Sequence, residues 1–353
     1  MLYLHGGGYS KSVILFEPGN LVSRGGVVVV TINYRLGLLG WFEDTSSWSR
    51  STIPGNQAYR DQILALQWVQ KNIASFGGDP KRVTVFGESA GANSIRALLS
   101  APSTFGLYQN VIGESDSINI PYHTPQSAAK LANYFMVSLG CNPGNIACAR
   151  GKSTNEILET TFGLVERPTA DGDLIPADFS TRQLGKIQHQ ANIITGRVCH
   201  SADTQSVFAS GASVPGYSQT ADDARFACQV VDRLTTFAKT GNPNPQPGLV
   251  GVESKNPDVT SVHWAPYGSE NPVLDLTVHS RMVQNLEAAT CSVHVNDKQR
   301  ELTGVFVHVI VSHSTHLPSL PMQSFYILPP EKLQGKGGQG RRKECENVDH
   351  QIY

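Results

Sequence analysis

Long apolar runs are missing from this 353-residue chain. A bilayer-spanning helix takes about 20 apolar residues. The run Val305–Val311 is interrupted at His308, so no membrane span is expected. An excess of charge of either sign is missing too. The 28 Lys and Arg stand against 29 Asp and Glu, for a formal net charge of −1. That balance provides no basic surface for nucleic acid. The six cysteines and 11 histidines show no spacing that resembles a zinc site, and neither metal nor cofactor is expected. There is no N-x-Ser/Thr sequon, which weighs slightly against a secretory route. No internal repeat occurs. The chain is nonetheless long enough to bury a large core, as one big domain or two.

Among the motifs present, the most informative is Gly87-Glu88-Ser89-Ala90-Gly91, a G-x-S-x-G pattern. Small residues flank such a serine because the chain turns sharply there from strand to helix. The β-branched and aromatic run Val83–Phe86 predicts the strand. A helix is expected from about Ala90, with Ile95, Leu98 and Leu99 on one face. The turn would lift the Ser89 hydroxyl clear of the sheet and aim the Ala90 amide at an oxyanion. In a chain with 33 glycines the pattern alone is a weak signal. The strand before it, the helix after it and an upstream glycine loop make it read as a nucleophile elbow.

That loop is His5-Gly6-Gly7-Gly8-Tyr9, following Leu2-Tyr3-Leu4. Three successive glycines let backbone approach a ligand closely and leave amides to donate. Ester cleavage builds negative charge on the carbonyl oxygen, and losing one donor to it costs about 10²–10³ in rate. A phosphate loop would need a Gly-Lys-Ser/Thr ending, which this segment lacks.

The remaining pattern reads as alternating strands and helices. Val27–Ile32 is a continuous apolar run, expected of a central strand buried on both faces. Asn56 is expected to cap a helix from Gln57, with Tyr59, Ile63, Leu66, Val69 and Ile73 at helical spacing. Asn110–Glu114 and Asn192–Thr195 read as short strands. Asp222 is expected to cap a helix that ends at Gly241. Such alternation predicts an α/β fold with a mostly parallel sheet and helices on both faces. The character changes after about Asn296, and the glycine- and charge-rich segment Lys332–Tyr353 is expected to be disordered or weakly ordered.

The chain resembles the type-B carboxylesterase/lipase (cholinesterase-like) family of the α/β-hydrolase fold. The resemblance is carried by LHGGGYS, by VVVVTINYRLGLLGWF at Val27–Phe42 and by GNQAYRDQILALQWVQKNIASFGGDP at Gly55–Pro80. It continues in PTADGDLIP at Pro168–Pro176, FAKTGNPNP at Phe237–Pro245 and, more weakly, from Trp264 to Cys291. The stretch Ala97–Asp116 is most similar to fungal members. The resemblance implies an incomplete esterase domain over residues 1–294 and a non-family tail over 295–353. In the family the glycine loop follows further strands, so a truncated N-terminus is expected. It also implies a Ser89 nucleophile, oxyanion donors at Gly7, Gly8 and Ala90, and a small-molecule or lipid ester as substrate. A short-loop disulfide between Cys141 and Cys148 is implied in the same way, and members are commonly secreted.

An acyl-transfer serine needs a base, and imidazole can take its proton and later return it to the leaving group. Cys199-His200-Ser201-Ala202-Asp203 is similar to the family's catalytic-histidine loop, which makes His200 the expected base. His5, His123 and His263 are poorer candidates. The acid should follow the strand matched by Asn192–Gly196, and a long helical region should separate it from the histidine. Only Arg197, Val198 and Cys199 intervene here, so an internal deletion near 197–199 is expected to have removed the acid. Asp203 is a weak substitute, three residues past His200. Asp171 matches a family position with another role, and Glu88 flanks the serine. Two readings follow: a carboxylic-ester hydrolase, impaired by loss of the acid, or a non-catalytic relative acting as an interaction protein. Some family relatives are adhesion proteins that have lost the nucleophile; this chain retains Ser89.

Overall fold

A computed structural model of the chain describes residues 1–12, 18–43, 53–116, 122–160, 167–177, 191–197, 207, 220–245, 257–260, 262–265, 272–275, 281–284 and 306–310. His200, Asp203 and the segment from 332 onward lie outside these residues. Eight strands form one sheet among them: β1 Leu2–Leu4, β2 Val30–Thr31, β3 Thr84–Glu88, β4 Asn110–Glu114, β5 Asn192–Arg197, β6 Pro272–Asp275, β7 Arg281–Gln284 and β8 Phe306–Ile310. Their order is β2-β1-β3-β4-β5-β8-β6-β7. Every pairing is parallel except β6 with β7.

Successive residues of a strand face opposite sides of a sheet, and both sides are apolar here. Leu2, Leu4, Val85, Val111 and Ile193 point to one core. Tyr3, Phe86, Ile112 and Ile194 point to the other. Helix α3, Gln57–Asn72, and helix α4, Ala90–Ser100, cover the first face through Tyr59, Ile63, Leu66, Ile95, Leu98 and Leu99. Helix α1, Gly19–Gly25, and helix α8, Ala221–Thr240, cover the second through Leu21, Phe226, Val230 and Phe237. This two-sided cover is why the strands read as unbroken apolar runs.

Between these helices lie α2 (Gly37–Trp41), α5 (Pro125–Ser138), α6 (Ile146–Arg150) and α7 (Thr154–Thr160). Leu38, Phe135, Met136, Leu139 and Ile146 form a satellite cluster around Cys141. Cys141 is bonded to Cys148 across a sequence separation of 7. Cys228 on α8 is also disulfide-bonded.

Several sequence expectations are corrected. The run at Val27–Ile32 forms an edge strand among the described residues, with only Val30 and Thr31 paired. It pairs with β1 at Leu2 opposite Val30 and Tyr3 opposite Thr31, and the Met1 amine donates to the Val28 carbonyl at 2.6 Å. Asn56 precedes α3 with φ 50° and makes no side-chain cap. Its amide instead donates to the Thr169 carbonyl at 2.8 Å and to Asp171 at 2.9 Å, and accepts from the Thr169 amide at 3.0 Å. A primary amide can mimic a strand pairing this way, and here that use displaces capping. Thr220, not Asp222, caps α8, in a reciprocal capping box with Asp223. Strand β8, Phe306–Ile310, pairs with both β5 and β6. Without a strand there, the facing backbones of β5 and β6 would be left unpaired.

One buried cation braces the segment after α8. The Arg233 guanidinium donates to the carbonyls of Val259 at 3.0 Å and Val262 at 2.8 Å, and to Asn244 Oδ1 at 3.5 Å. It also lies 5.8 Å from the centroid of the Trp264 ring. Burial lowers its pKa to about 10, with Asp232 opposing. Arg233→Leu fills the space but leaves two buried carbonyls without donors. It should cost about 2–3 kcal/mol in urea unfolding. A change below about 0.5 kcal/mol, the size typical of a surface substitution, would mean the guanidinium is not a brace.

Candidate active site

Ser89 sits between the end of β3 and the start of α4 with φ 56° and ψ −119°. A side-chain-bearing residue at positive φ is strained, and such strain collects at functional sites. The strain is held by the surrounding backbone. The Ser89 amide donates to the Glu114 carbonyl at the end of β4 at 3.0 Å, and its carbonyl accepts from the Asn93 amide at 2.9 Å. Ser89 is largely buried, as are Glu88 and Glu114.

The glycines around Ser89 are forced by contact. A Cβ on Gly91 would lie 2.0 Å from the Leu4 carbonyl oxygen, and one on Gly87 would lie 2.6 Å from the same atom. A Cβ on Gly6 would lie 2.5 Å from Glu88 Oε2 and 3.0 Å from Ser89 Cβ. The structure thus brings the glycine loop, Ser89 and Ala90 together at the C-terminal end of the sheet. Gly7 and Gly8 have φ of 108° and 63°. A Cβ on Gly7 would collide with the Lys11 carbonyl, whereas one on Gly8 would meet nothing within 4 Å. Gly8 therefore borders open space beside the serine turn.

His5 begins this loop as a packed residue. Its ring stacks on Tyr34 with centroids 4.2 Å apart, and its Nδ1 bonds the Gly6 carbonyl at 2.8 Å. Tyr34 donates its hydroxyl to the His5 carbonyl. Burial, then the Glu88 charge, raises the Tyr34 pKa. His123 bonds Ser127 at 3.0 Å and pairs its backbone with Pro168 and Ala170. Asp171 accepts the amides of Asp173 at 3.0 Å and Ile175 at 2.8 Å, which makes it a turn-former. Among the described residues no group of three or more His, Cys, Asp or Glu could hold a metal. Nor is any helix among them long and apolar enough to cross a membrane.

Sequence reasoning did not find Tyr34 or Asn93. Tyr34 lies in a quoted family segment, but nothing local marks its reach to His5, 29 residues away. Asn93 reads as one more residue of an amphipathic helix.

A family model described as the carboxylesterase family matches residues 1–197 and, separately, 178–294. Mouse neuroligin-2 is 35% identical over 188 residues, covering 50% of this chain and 22% of that protein. Mouse cholinesterase is 36% identical over 215 residues, covering 56% of this chain and 35% of that protein. The chain therefore spans about a fifth to a third of the length of these relatives. The crystal structure of the Geobacillus stearothermophilus carboxylesterase EST55 aligns with a TM-score of 0.69 at 19% identity. It covers 82% of this chain and 80% of that chain, so the α/β-hydrolase fold is shared.

Two predictions follow from the packing. Gly91→Ala should cost at least about 2 kcal/mol, because backbone must move to admit the methyl group. Gly8→Val should cost about 1–2 kcal/mol, from its left-handed backbone alone, and reduce any esterase activity by a larger factor. Wild-type stability in Gly91→Ala, by urea titration, would refute the close approach of Leu4. A third prediction concerns pH. Burial lowers the His5 pKa from its ordinary 6.5, the Gly6 hydrogen bond opposing in part. Below pH 6.5 the unfolded chain binds a proton that the folded chain resists, so stability is full above that pH and falls toward the lowered folded value. His5→Phe keeps the stacking and removes the titration. Its unfolding free energy should drop less than the wild type's between pH 7 and pH 5; an equal drop would mean His5 does not titrate as argued.

Proposed function

The chain belongs to the carboxylesterase family, and from that premise we propose that it is a carboxylic-ester hydrolase of low turnover, acting through an acyl-enzyme on Ser89. The observation that carries the reading is the strained backbone of Ser89, set beside a glycine loop whose Gly8 borders open space. Ser89 Oγ attacks the ester carbonyl and passes its proton to His200. The amides of Gly7, Gly8 and Ala90 receive the charge that develops on the carbonyl oxygen. The carbon–alkoxy bond breaks, and the alcohol leaves with the proton from His200. Water then repeats the sequence on the acyl-enzyme, releasing the carboxylic acid and restoring Ser89.

Low turnover follows from the acid. A carboxylate on the far imidazole nitrogen fixes the tautomer, and its removal costs about 10⁴ in kcat in the serine-protease example. Asp171 is committed to a turn, and Asp203 stands only three residues past His200. The two family-model matches overlap over 178–197 and break there, which supports an internal deletion just before the histidine loop. That same break favours the second reading, a non-catalytic relative that keeps the fold and serves as an interaction protein.

Fluorophosphonate labelling separates the two. The folded wild type should be labelled and Ser89→Ala should not; a folded wild type that resists labelling would favour the non-catalytic reading. Hydrolysis of a short-chain aryl ester should run well below ordinary enzyme rates of about 1–10³ per second. It should barely fall further in Asp203→Asn. Ordinary turnover with a strong loss in that variant would make Asp203 the acid and overturn the proposal.

A further inference from the structure

Gly7 and Gly8 lie in left-handed backbone that offers little stiffness of its own. The residue that follows them is fixed on every side. Tyr9 is buried, with φ 66°. Its carbonyl accepts from Trp41 Nε1 at 3.0 Å and from the Gly37 amide at 2.9 Å. Its ring packs edge-on to Trp41, centroids 5.0 Å apart. Its hydroxyl donates to Asn93 Oδ1. Asn93 is itself held one turn after the serine. Its amide bonds the Ser89 carbonyl, its Oδ1 also accepts from the Tyr122 hydroxyl at 2.7 Å, and its Nδ2 donates to Asp116 at 3.3 Å. Tyr122 in turn shares a hydrogen bond of 2.6 Å with Tyr59 on α3.

We propose that Tyr9 is a positioning residue whose hydroxyl, through Asn93, ties the Gly7–Gly8 backbone to the first turn of α4 and so sets its distance from Ser89. This rests on the ester-hydrolase reading for its catalytic consequence, but not for its structural one. A hydrogen bond spanning 84 residues thus links the residue after the proposed oxyanion donors to the helix that starts at the nucleophile. The bonds to the Tyr9 carbonyl hold this residue against Trp41 and Gly37, whereas the hydroxyl bond holds it against α4.

The experiment uses the full chain and two readouts. Hydrogen exchange is followed at Ser10 and Lys11, whose amides bond the Gly7 carbonyl, and at Gly37, whose amide bonds that of Tyr9. The rate of fluorophosphonate labelling is followed in parallel. Tyr9→Phe keeps the ring and removes the hydroxyl. It should speed exchange at these amides about 3–10-fold and slow labelling by a similar factor, with exchange in β3 and the later turns of α4 unchanged. Asn93→Ala, which also removes the bonds to Tyr122 and Asp116, should raise loop exchange at least as much, and adding Tyr9→Phe to it should change little, because the Tyr9–Asn93 bond is already gone. Tyr108→Phe removes a buried tyrosine hydroxyl just before β4, at the opposite end of the sheet, and should change neither readout. Unchanged loop exchange in both Tyr9→Phe and Asn93→Ala would overturn the proposal. So would a rise shared equally by β3 and α4, which would mark general destabilisation. If loop exchange responds but the wild type is never labelled, the positioning role stands and the hydrolase reading falls.

Discussion

The contact on which the rest of the site depends is the approach of the Leu4 carbonyl to Gly87 and Gly91. A methyl group on either glycine would fall within 2.6 Å of that oxygen. Leu4 and Gly87 are register partners in the sheet, so the end of β1 is seated against the serine turn. Only with both positions bare can α4 begin immediately over β1. That seating delivers the chain directly into His5-Gly6, whose backbone then lies against Glu88 and Ser89. The strain at Ser89 is sustained from the other side, where its amide bonds the end of β4. Three adjacent strands thus end at one point, and the loop and helix that leave them have little choice of path.

The core serves the same end. Tyr3 and Phe86 face one layer of helices, while Leu2, Leu4 and Val85 face the other. Each deeply buried side chain of this size contributes about 1.5–3 kcal/mol relative to exposure. Shifting a strand by one residue would exchange its two faces, and the layers differ. One is dominated by α3 and α4 with the Tyr9, Tyr59 and Tyr122 rings, the other by α1 and α8. Register at the serine turn is therefore fixed by the whole sheet as well as by the glycines next to it.

Features written in local chemistry were legible in the sequence. The glycine loop, the strand before Ser89, the helix after it and the left-handed stop at Gly241 each follow from a few adjacent residues. Features decided by partners far along the chain were not. Asn56 looks like a cap until the Thr169 backbone, 113 residues on, claims its amide. Val27–Ile32 has the composition of a central strand, yet among the described residues it lies at the sheet edge and pairs only with β1. Phe306–Ile310 lies where no family pattern runs, and it enters the sheet because the place between β5 and β6 must be filled. At the site, the bond from Tyr9 to Asn93 has no signature, since both residues have sufficient local explanations without it.

On the proposed hydrolase reading, the sheet also bears on whether the acid or the base would limit the chemistry. Glu88, Glu114 and Gly196 are register partners across β3, β4 and β5. Neighbouring strands lie about 4.8 Å apart, so the end of β5 stands two spacings, about 10 Å, from the serine strand. His200 follows Arg197 by three residues, which span at most about 10–11 Å when extended. A histidine side chain adds further reach. The tether is thus long enough to return an imidazole toward Ser89, and the short connection does not by itself exclude the base. The link itself, Arg197-Val198-Cys199, carries no carboxylate. A chain that spends its three linking residues crossing to the serine has none left to place a carboxylate behind the ring. The next one, Asp203, must turn back within three residues to do so. On the proposed hydrolase reading, proton transfer would keep its donor and acceptor while losing the group that orients them, and acylation and deacylation would both slow.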